Sequence, residues 1–181
     1  MLLKLAWLVP LYPLIGAIIN GFFGLRIGKN AVGLIAAGSI GLSFLTTLFI
    51  FAGLLLTPAE ERIFEQVLFT WMAAGDFVVD FGFQIDPLSM TMMLFVTGVG
   101  FLIHVYSIGY MHEEFSFYRF FAYMNLFMFS MLLLIMGNNF LLMFIGWEGV
   151  GLCSYFLIGY YFEKKSACDA GTKAFVMNRI G

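Results

Sequence analysis

Long apolar runs with almost no charge are the feature that most limits how this chain can fold. A helix needs about 20 apolar residues to cross the ~30 Å hydrocarbon core of a membrane. Five runs have about this length: residues 3–23, 31–56, 87–111, 120–136 and 140–162. Overall, 62% of the residues are hydrophobic and 11% are charged, whereas soluble domains have about 45–50% and about 25%. The sequence therefore predicts an all-α polytopic membrane protein with five transmembrane helices.

Proline residues mark two of the predicted helices, and a further helix starts late in the chain. Pro10 and Pro13 predict that the first helix is bent or broken. Asp86 followed by Pro87 predicts the N-cap and the first position of the third helix. A sixth helix is predicted to begin near Ser166 and to be cut off at the last residue, so the chain is interpreted as the N-terminal part of a longer protein.

Residues 57–86, between the second and third helices, have the pattern of a β-hairpin. From residue 77 to residue 85 every second residue is apolar. This is the period of a strand, in which alternate side chains lie on the same face. Residues 62–72 are the predicted partner strand, with Gly75 and Asp76 at the turn. The hairpin is predicted to be external and to lie on the helix ends, as an amphipathic cover without chemistry of its own.

Positive charge is concentrated in loops that fall on one side of the predicted membrane. The loops after the odd-numbered helices contain Arg26, Lys29, Arg119, Lys164, Lys165 and Lys173. The other side has Lys4 and Arg62. The positive-inside rule therefore predicts that the N-terminus is outside. The net charge of −2 provides no basic footprint for nucleic acid.

Glu148 is the single charged residue in the run 140–162 and lies near the middle of the predicted fifth helix. A carboxylate at membrane depth costs about 2.5–3.5 kcal/mol on insertion scales, and such residues usually mark ion pathways. The first five helices offer no buried lysine or arginine. Either desolvation keeps Glu148 protonated, or a cation from a segment beyond this chain pairs with it. The alternative is a purely structural glutamic acid, protonated and bonded to a backbone carbonyl of a neighbouring helix.

Three other polar residues lie in apolar surroundings. His104 in the third helix is a candidate proton relay because imidazole titrates near neutral pH, and an interhelical hydrogen bond is its alternative role. Asn125 in the fourth helix is predicted to form an interhelical hydrogen bond. Arg179 would lie roughly 20 Å along the sixth helix. Because this is too deep to reach the interface easily, Arg179 is predicted to pair with an acid.

The sequence contains no motif for a redox cofactor. It has no GxGxxG, P-loop, CxxC cluster or nucleophile–base arrangement, and Cys153 and Cys168 fit neither a disulfide framework nor a spaced metal site. The chain is therefore predicted to bind no flavin, nicotinamide, iron–sulfur cluster or metal. Any redox chemistry would have to occur in another polypeptide.

Four segments carry a specific resemblance to a known family. They read VTGVGFLIH at 96–104, FFAYMNLF at 120–127, GWEGVGLCSY at 146–155 and KAFVMNRIG at 173–181. Together they closely resemble the subunit L, or chain 5, family of respiratory NADH–quinone oxidoreductase, complex I. The resemblance runs through essentially the whole chain, and the string WEGVGLCSY is highly specific to this family.

The resemblance implies an antiporter-like membrane subunit at the far end of the membrane arm, which moves protons as electrons pass from NADH to quinone in other subunits. Glu148 matches the glutamate of helix five that pairs with a lysine on helix seven, and Arg179 matches an arginine of helix six near an aspartate. Both the lysine and the aspartate would lie past residue 181. By the same resemblance, residues 1–64 contain the first two helices, residues 65–115 are the N-terminal domain of the family, and residues 116–181 start the proton-conducting domain.

Partners and location also follow from the resemblance as expectations. The expected partners are the lipid bilayer and the other membrane-arm subunits, especially the M-type antiporter-like subunit. FMN, iron–sulfur clusters and quinone are expected in partner subunits. The expected location is the inner membrane of a bacterium rather than a mitochondrial or plastid membrane. Two other hypotheses stay open: the large subunit of a multi-subunit sodium/proton antiporter, which shares the fold, and a structural membrane-arm scaffold without a pathway.

Overall fold

The computed structural model describes residues 2–75 and 77–180, and the chain is mostly helical there. The α-helices are α1 (Leu8–Ile27), α2 (Lys29–Leu55), α3 (Pro87–Tyr110), α4 (Phe117–Met136), α5 (Phe140–Ile158) and α6 (Lys165–Ile180). The strands are β1 (Phe64–Ala74) and β2 (Phe77–Ile85), and 3-10 turns lie at Leu2–Leu5 and Ala59–Glu61. Within the described residues, five helices, α1 to α5, are long and apolar enough to cross a membrane, which confirms the predicted number of spans.

The fifth helix is shorter than the sequence predicts. It ends at Ile158 with Gly159 as its C-cap, whereas the apolar run continues to residue 162. The backbone then turns, and the N–H of Lys164 donates to the carbonyl of Tyr161 at 2.9 Å. Glycine is a poor helix former, so the helix ends inside the apolar run and the aromatic residues that follow form a connection to α6.

The first helix continues through both of its prolines, so it is not broken near Pro10 and Pro13. The other possibility, a bend at these prolines, stays a prediction. Pro13 has no N–H, and the carbonyl of Val9, one turn earlier, therefore loses its usual helical partner. Ser43 of α2 replaces that partner, because its hydroxyl donates to the Val9 carbonyl at 2.7 Å. A hydrogen bond between helices thus satisfies the group that proline leaves free, and α1 stays continuous.

The start of α3 is fixed by a capping box, as the sequence predicts at Asp86 and Pro87. The N–H of Ser89 donates to the Asp86 carboxylate at 2.7 Å, and the N–H of Asp86 donates to the Ser89 hydroxyl at 2.8 Å. The amide of Gln84 donates to the second carboxylate oxygen at 3.0 Å. Burial alone would raise the pKa of Asp86, but these hydrogen bonds outweigh burial and lower the pKa below its usual value.

The hairpin pairs β1 and β2 antiparallel, from Phe64 opposite Ile85 to Ala74 opposite Phe77, with two irregularities in register. Gly75 at the turn has φ of 61°, a conformation that glycine adopts without steric cost; the predicted turn residue Asp76 lies outside the described residues. Val79, Phe83 and Ile85 are buried, which confirms one apolar face.

Side-chain and backbone contacts place the hairpin at one end of the bundle. Phe83 forms an isolated bridge with Gly137, and the amide of Asn139 donates to the Asp80 carbonyl at 2.7 Å. The turn between α4 and α5 therefore meets β2. At this end the hairpin, α1, α2, α3, α4 and α5 share one buried apolar cluster, whose buried members are Ala6, Val9, Ile50, Leu54, Phe83, Ile85, Met90, Met93, Leu132, Leu133, Met136 and Leu142.

The opposite end of the bundle joins the connections that follow α1, α3 and α5. The ammonium of Lys29, at the start of α2, donates to the carbonyl of His112 after α3 at 2.7 Å. A second buried cluster lies here and consists of Val32, Ala36, Met111, Phe117, Phe121 and Tyr160. Between the two ends, α4 packs against α1, α2, α3 and α5, and α6 packs against α5 alone among the major helix contacts of the described residues.

Candidate functional site

Glu148 of α5 and Arg179 of α6 form an ion pair between Oε2 of the carboxylate and Nη1 of the guanidinium. Their side chains are 21% and 40% exposed, respectively, so the pair is neither fully desolvated nor free in solvent. The pair borders an open cavity of about 320 Å³ that Phe140, Met143, Phe144, Trp147 and Asn178 also line. Glu148 and Arg179 therefore border an open space rather than a closed core.

Glycine residues on α5 allow the helices on both sides to approach Glu148. A Cβ at Gly146 would collide with the backbone of Leu134 in α4, and a Cβ at Gly151 would collide with the amide of Asn178 in α6. Gly151 lies about one turn after Glu148 and Asn178 precedes Arg179, so the Asn178 side chain of α6 packs on α5 close to the ion pair. Small residues permit this kind of close helix packing in membranes.

The guanidinium of Arg179 is also held from the side of its own helix. Its Cζ lies 4.4 Å from the centre of the Phe175 ring, one helical turn earlier, which is within the range of a cation–π contact. Arg179 is therefore positioned by one anion and one aromatic ring. The sequence predicts that Arg179 pairs with an acid, and within the described residues that acid is Glu148. The aspartate that the family resemblance implies past residue 181 stays a prediction.

His104 lies elsewhere in the bundle. It is fully buried in α3, and Nδ1 lies 2.7 Å from the carbonyl of Gly100 on the same helix, so Nδ1–H is assigned as the donor. The alternative of an interhelical bond is not observed at this nitrogen. Nε2 has no hydrogen-bond partner among the described residues. The ring lies beside Phe121 of α4, 6.3 Å between centroids, and none of the described hydrogen bonds or ion pairs joins it to Glu148.

Two buried asparagine side chains link α1, α2 and α4, and one of them was not singled out by the sequence analysis. Asn125 donates to the hydroxyl of Ser39 at 2.6 Å and to the carbonyl of Ala36 at 3.4 Å, which confirms its predicted interhelical role. Asn20 of α1 donates to the carbonyl of Val32 at 3.4 Å and was missed. The signal was available, because Asn20 is the one amide in the apolar run of the first helix.

Five helices that are long and apolar enough to cross a membrane, with an ion pair between α5 and α6, are typical of a multi-pass membrane protein. Residues 71–121 match the family model described as "NADH-Ubiquinone oxidoreductase (complex I), chain 5 N-terminus". Residues 137–181 match the family model described as "NADH:quinone oxidoreductase/Mrp antiporter, TM". The chain belongs to the chain 5, or subunit L, family of complex I, as the resemblance of its motifs indicates. Glu148 and Arg179 both lie in the second matched segment, and His104 lies in the first.

Individual relatives agree with the family. The chain is 46% identical over 171 residues to NADH-quinone oxidoreductase subunit L of Pseudomonas aeruginosa, a match that covers 94% of this chain and 28% of that protein. It is 47% identical over 174 residues to subunit L of Escherichia coli strain K12, with 96% and 28% covered. The chain thus spans less than a third of the length of these relatives.

A solved structure supports the fold. A chain of the membrane-bound sulfane sulfur reductase, described as an archaeal respiratory membrane complex, aligns with a TM-score of 0.72 over 93% of this chain and 24% of that chain. The sequence identity is 17%, so this similarity concerns the arrangement of the helices alone.

Proposed function

We propose that this chain forms part of a proton-translocating membrane subunit of NADH–quinone oxidoreductase, driven by electron transfer in other subunits. The observation that carries the proposal is the Glu148–Arg179 ion pair. Its carboxylate and guanidinium come from two helices within the segment that matches the antiporter-type family. The similarity to bacterial subunit L proteins gives the complex in which the pair would work.

In the proposed mechanism Glu148 carries the proton and Arg179 is a supporting charge. Contact with the guanidinium stabilises the ionised carboxylate by Coulomb attraction, which is stronger in the low dielectric of the bundle than in water. When α6 moves the guanidinium away, the carboxylate loses that stabilisation and takes up a proton. Return of Arg179 to Glu148 expels the proton, so movement of one helix couples a conformational change to proton transfer.

The open cavity beside the pair supplies one half of the route in this proposal. His104 is proposed as a relay near α3, because its buried Nε2 makes no hydrogen bond with a described residue and its lone pair can accept a proton from a group that moves next to it. A lysine from the remaining part of the protein, as in the family, would compete with Arg179 for Glu148 and provide the second state of the pair.

The proposed setting is the inner membrane of a bacterium, with the N-terminus and the hairpin outside. The bond from Lys29 to His112 supports this orientation, because it brings the loops after α1 and α3 to one end of the bundle, and basic residues of those loops favour the inside. The proposed partners are the other membrane-arm subunits, including an M-type subunit. FMN, iron–sulfur clusters and quinone are assigned to partner subunits.

A sodium/proton antiporter is the second candidate. The match at 137–181 includes the Mrp antiporter in its description and would fit either protein. The match at 71–121 names chain 5 of complex I alone, and it therefore favours the oxidoreductase.

The proposal is tested by Glu148→Gln in the full-length protein, assembled in its complex in membrane vesicles. Proton uptake is followed with a pH-sensitive dye while NADH oxidation is measured in parallel. Glutamine keeps the shape of the side chain but cannot gain or lose a proton. We therefore expect a lower ratio of protons to electrons or a slower coupled turnover. Glu113→Gln, a change of a fully exposed loop carboxylate, is the matched control and leaves both unchanged. An unaltered ratio and turnover in Glu148→Gln would refute the proposal.

A further inference from the structure

Asn178 precedes Arg179 on α6, and its side chain faces the cavity beside Glu148. It lines the same open space of about 320 Å³ as Glu148 and Arg179, and it is half-buried rather than sealed off from that space. A buried amide elsewhere in the bundle bonds to a neighbouring helix, as that of Asn125 does to Ser39. The amide of Asn178 takes part in none of the hydrogen bonds of the described residues, so its donor and acceptor face the cavity unused.

The glycine at position 151 brings the Asn178 amide close to Glu148. A Cβ on Gly151 would collide with Nδ2 of Asn178, so the amide occupies the space that a side chain at position 151 would take. Positions 148 and 151 are three residues apart on α5, and residues with this spacing have Cβ atoms about 5–6 Å apart on one face of a helix. The carboxyl of Glu148, at the end of a flexible side chain, therefore reaches the amide by a change of rotamer.

Protonation of Glu148 creates a requirement that Arg179 cannot meet. A protonated carboxyl has an O–H group, which is costly to leave without an acceptor away from bulk water. The guanidinium of Arg179 has donors and no acceptor, and the indole of Trp147 has one donor and no acceptor. The remaining side chains that line the cavity are apolar: Phe140, Met143 and Phe144. The amide carbonyl of Asn178 is therefore the strong acceptor among the side chains around Glu148 in this cavity.

We propose that Asn178 is a positioning residue whose amide Oδ1 accepts the O–H of protonated Glu148. This inference rests on the function proposed above, in which Glu148 changes partner as it gains and loses a proton. In the ionised state the carboxylate pairs with Arg179. In the protonated state the acid donates to Asn178, and the guanidinium is released.

The adjacent positions of the two partners on α6 allow this exchange. Consecutive residues of an α-helix lie about 100° apart around its axis, so rotation of α6 in one sense withdraws Arg179 from Glu148 and brings Asn178 toward it. The two partners favour opposite protonation states, because a nearby cation stabilises the carboxylate and a hydrogen bond to the neutral form stabilises the acid. Among the major helix contacts of the described residues, α6 packs against α5 alone, so this rotation changes a single one of those interfaces.

The test compares Asn178→Leu with the unaltered full-length protein, each assembled in its complex in membrane vesicles. Leucine has nearly the size of asparagine but no acceptor. Infrared difference spectra between acid and neutral buffer show the C=O stretch of protonated carboxyl groups, and the band that is lost in Glu148→Gln belongs to Glu148. Since this stretch moves to higher wavenumber when the O–H of the acid loses its hydrogen bond, we expect the band to move up in Asn178→Leu. Loss of one net hydrogen bond should also weaken proton binding by Glu148 about fivefold.

Thr172→Val is the matched control, because it removes a hydroxyl from an exposed position of α6 that does not line the cavity, and it should leave the band in place. If Asn178→Leu does not assemble, Asn178→Ala decides the matter by the same readout. A Glu148 band at an unchanged wavenumber overturns the proposal and identifies a backbone carbonyl as the acceptor, and the absence of any acid band that depends on Glu148 overturns it as well. The proposed function fails on a different measurement, since it requires Glu148→Gln to alter proton pumping, whereas the role of Asn178 is read from the position of the band.

Discussion

Neutralising both members of the Glu148–Arg179 pair should destabilise the protein less than the two single changes together. At ion-pair contact, two unit charges attract by about 4 kcal/mol at an effective dielectric of 20, whereas exposed surface pairs contribute about 0–1 kcal/mol. The side chains are 21% and 40% exposed, so solvent screens the pair partly and an intermediate value applies. We therefore expect a coupling free energy of about 1–2 kcal/mol.

The assay is a double-mutant cycle with Glu148→Gln, Arg179→Gln and the double variant. The free energy of unfolding is measured for the full-length protein in one detergent, by the same denaturant titration for all four proteins. Each single change leaves one charge between α5 and α6 without its partner, and the double change leaves no charge there. The double variant is therefore expected to recover about 1–2 kcal/mol relative to the sum of the singles.

Additive effects, within about 0.5 kcal/mol, would refute this reasoning. Additivity would mean that the two groups act independently and that Glu148 has its main partner elsewhere, such as the lysine that the family resemblance implies. A cycle of Glu148→Gln with Lys173→Gln is the control. Lys173 is an exposed cation of the same helix, α6, it has no place in the described ion pairs, and its cycle should be additive.

Two more predictions concern the scaffold. Gly146→Ala should destabilise the protein by about 1–3 kcal/mol, as overpacking does, because the new methyl group meets the backbone of α4. Gly38→Ala is the control and should be neutral or stabilising, because a Cβ there meets nothing within 4 Å. Equal denaturant midpoints for the two variants would contradict the close packing of α5 on α4 at Gly146. Asp86→Asn should remove a pH-dependent part of the stability. Since the pKa of Asp86 is lowered on folding from 3.8, the ionised cap stabilises the fold above pH ~4, and this contribution is lost as the pH falls through the lowered pKa. The difference between the two proteins should shrink in acid, and a difference that grows below pH ~4 would count against the lowered pKa.

Local patterns predicted most of the secondary structure. The length of an apolar run predicts a membrane helix because the hydrocarbon thickness sets the number of residues, and this rule placed α2, α3 and α4 within a few residues of their observed bounds. The alternation in β2 and the cap at Asp86 are equally local, since each depends on neighbouring residues in the chain. The fifth helix was overextended because apolarity alone does not reveal that Gly159 ends it.

Long-range contacts could not be predicted from the sequence in the same way. The hydroxyl of Ser43 reaches the carbonyl of Val9 only because α1 and α2 pack side by side, so the prolines read alone suggested a bend or a break. Similarly, the sequence marked Arg119 as a positive loop residue, but its meeting with Tyr160 requires the antiparallel packing of α4 and α5. Contacts of this kind join residues far apart in the chain and depend on which helix faces which.

Sequence alone determined that this chain spans a membrane and that Glu148 is the charge to explain, because each conclusion depends on the high cost of placing charge in hydrocarbon. It also determined the family, through the string around Glu148. The tertiary structure decided which cation stands beside that carboxylate. Glu148 and Arg179 meet because α6 packs against α5, and the approach of two helices is a property of their packed surfaces rather than of either segment.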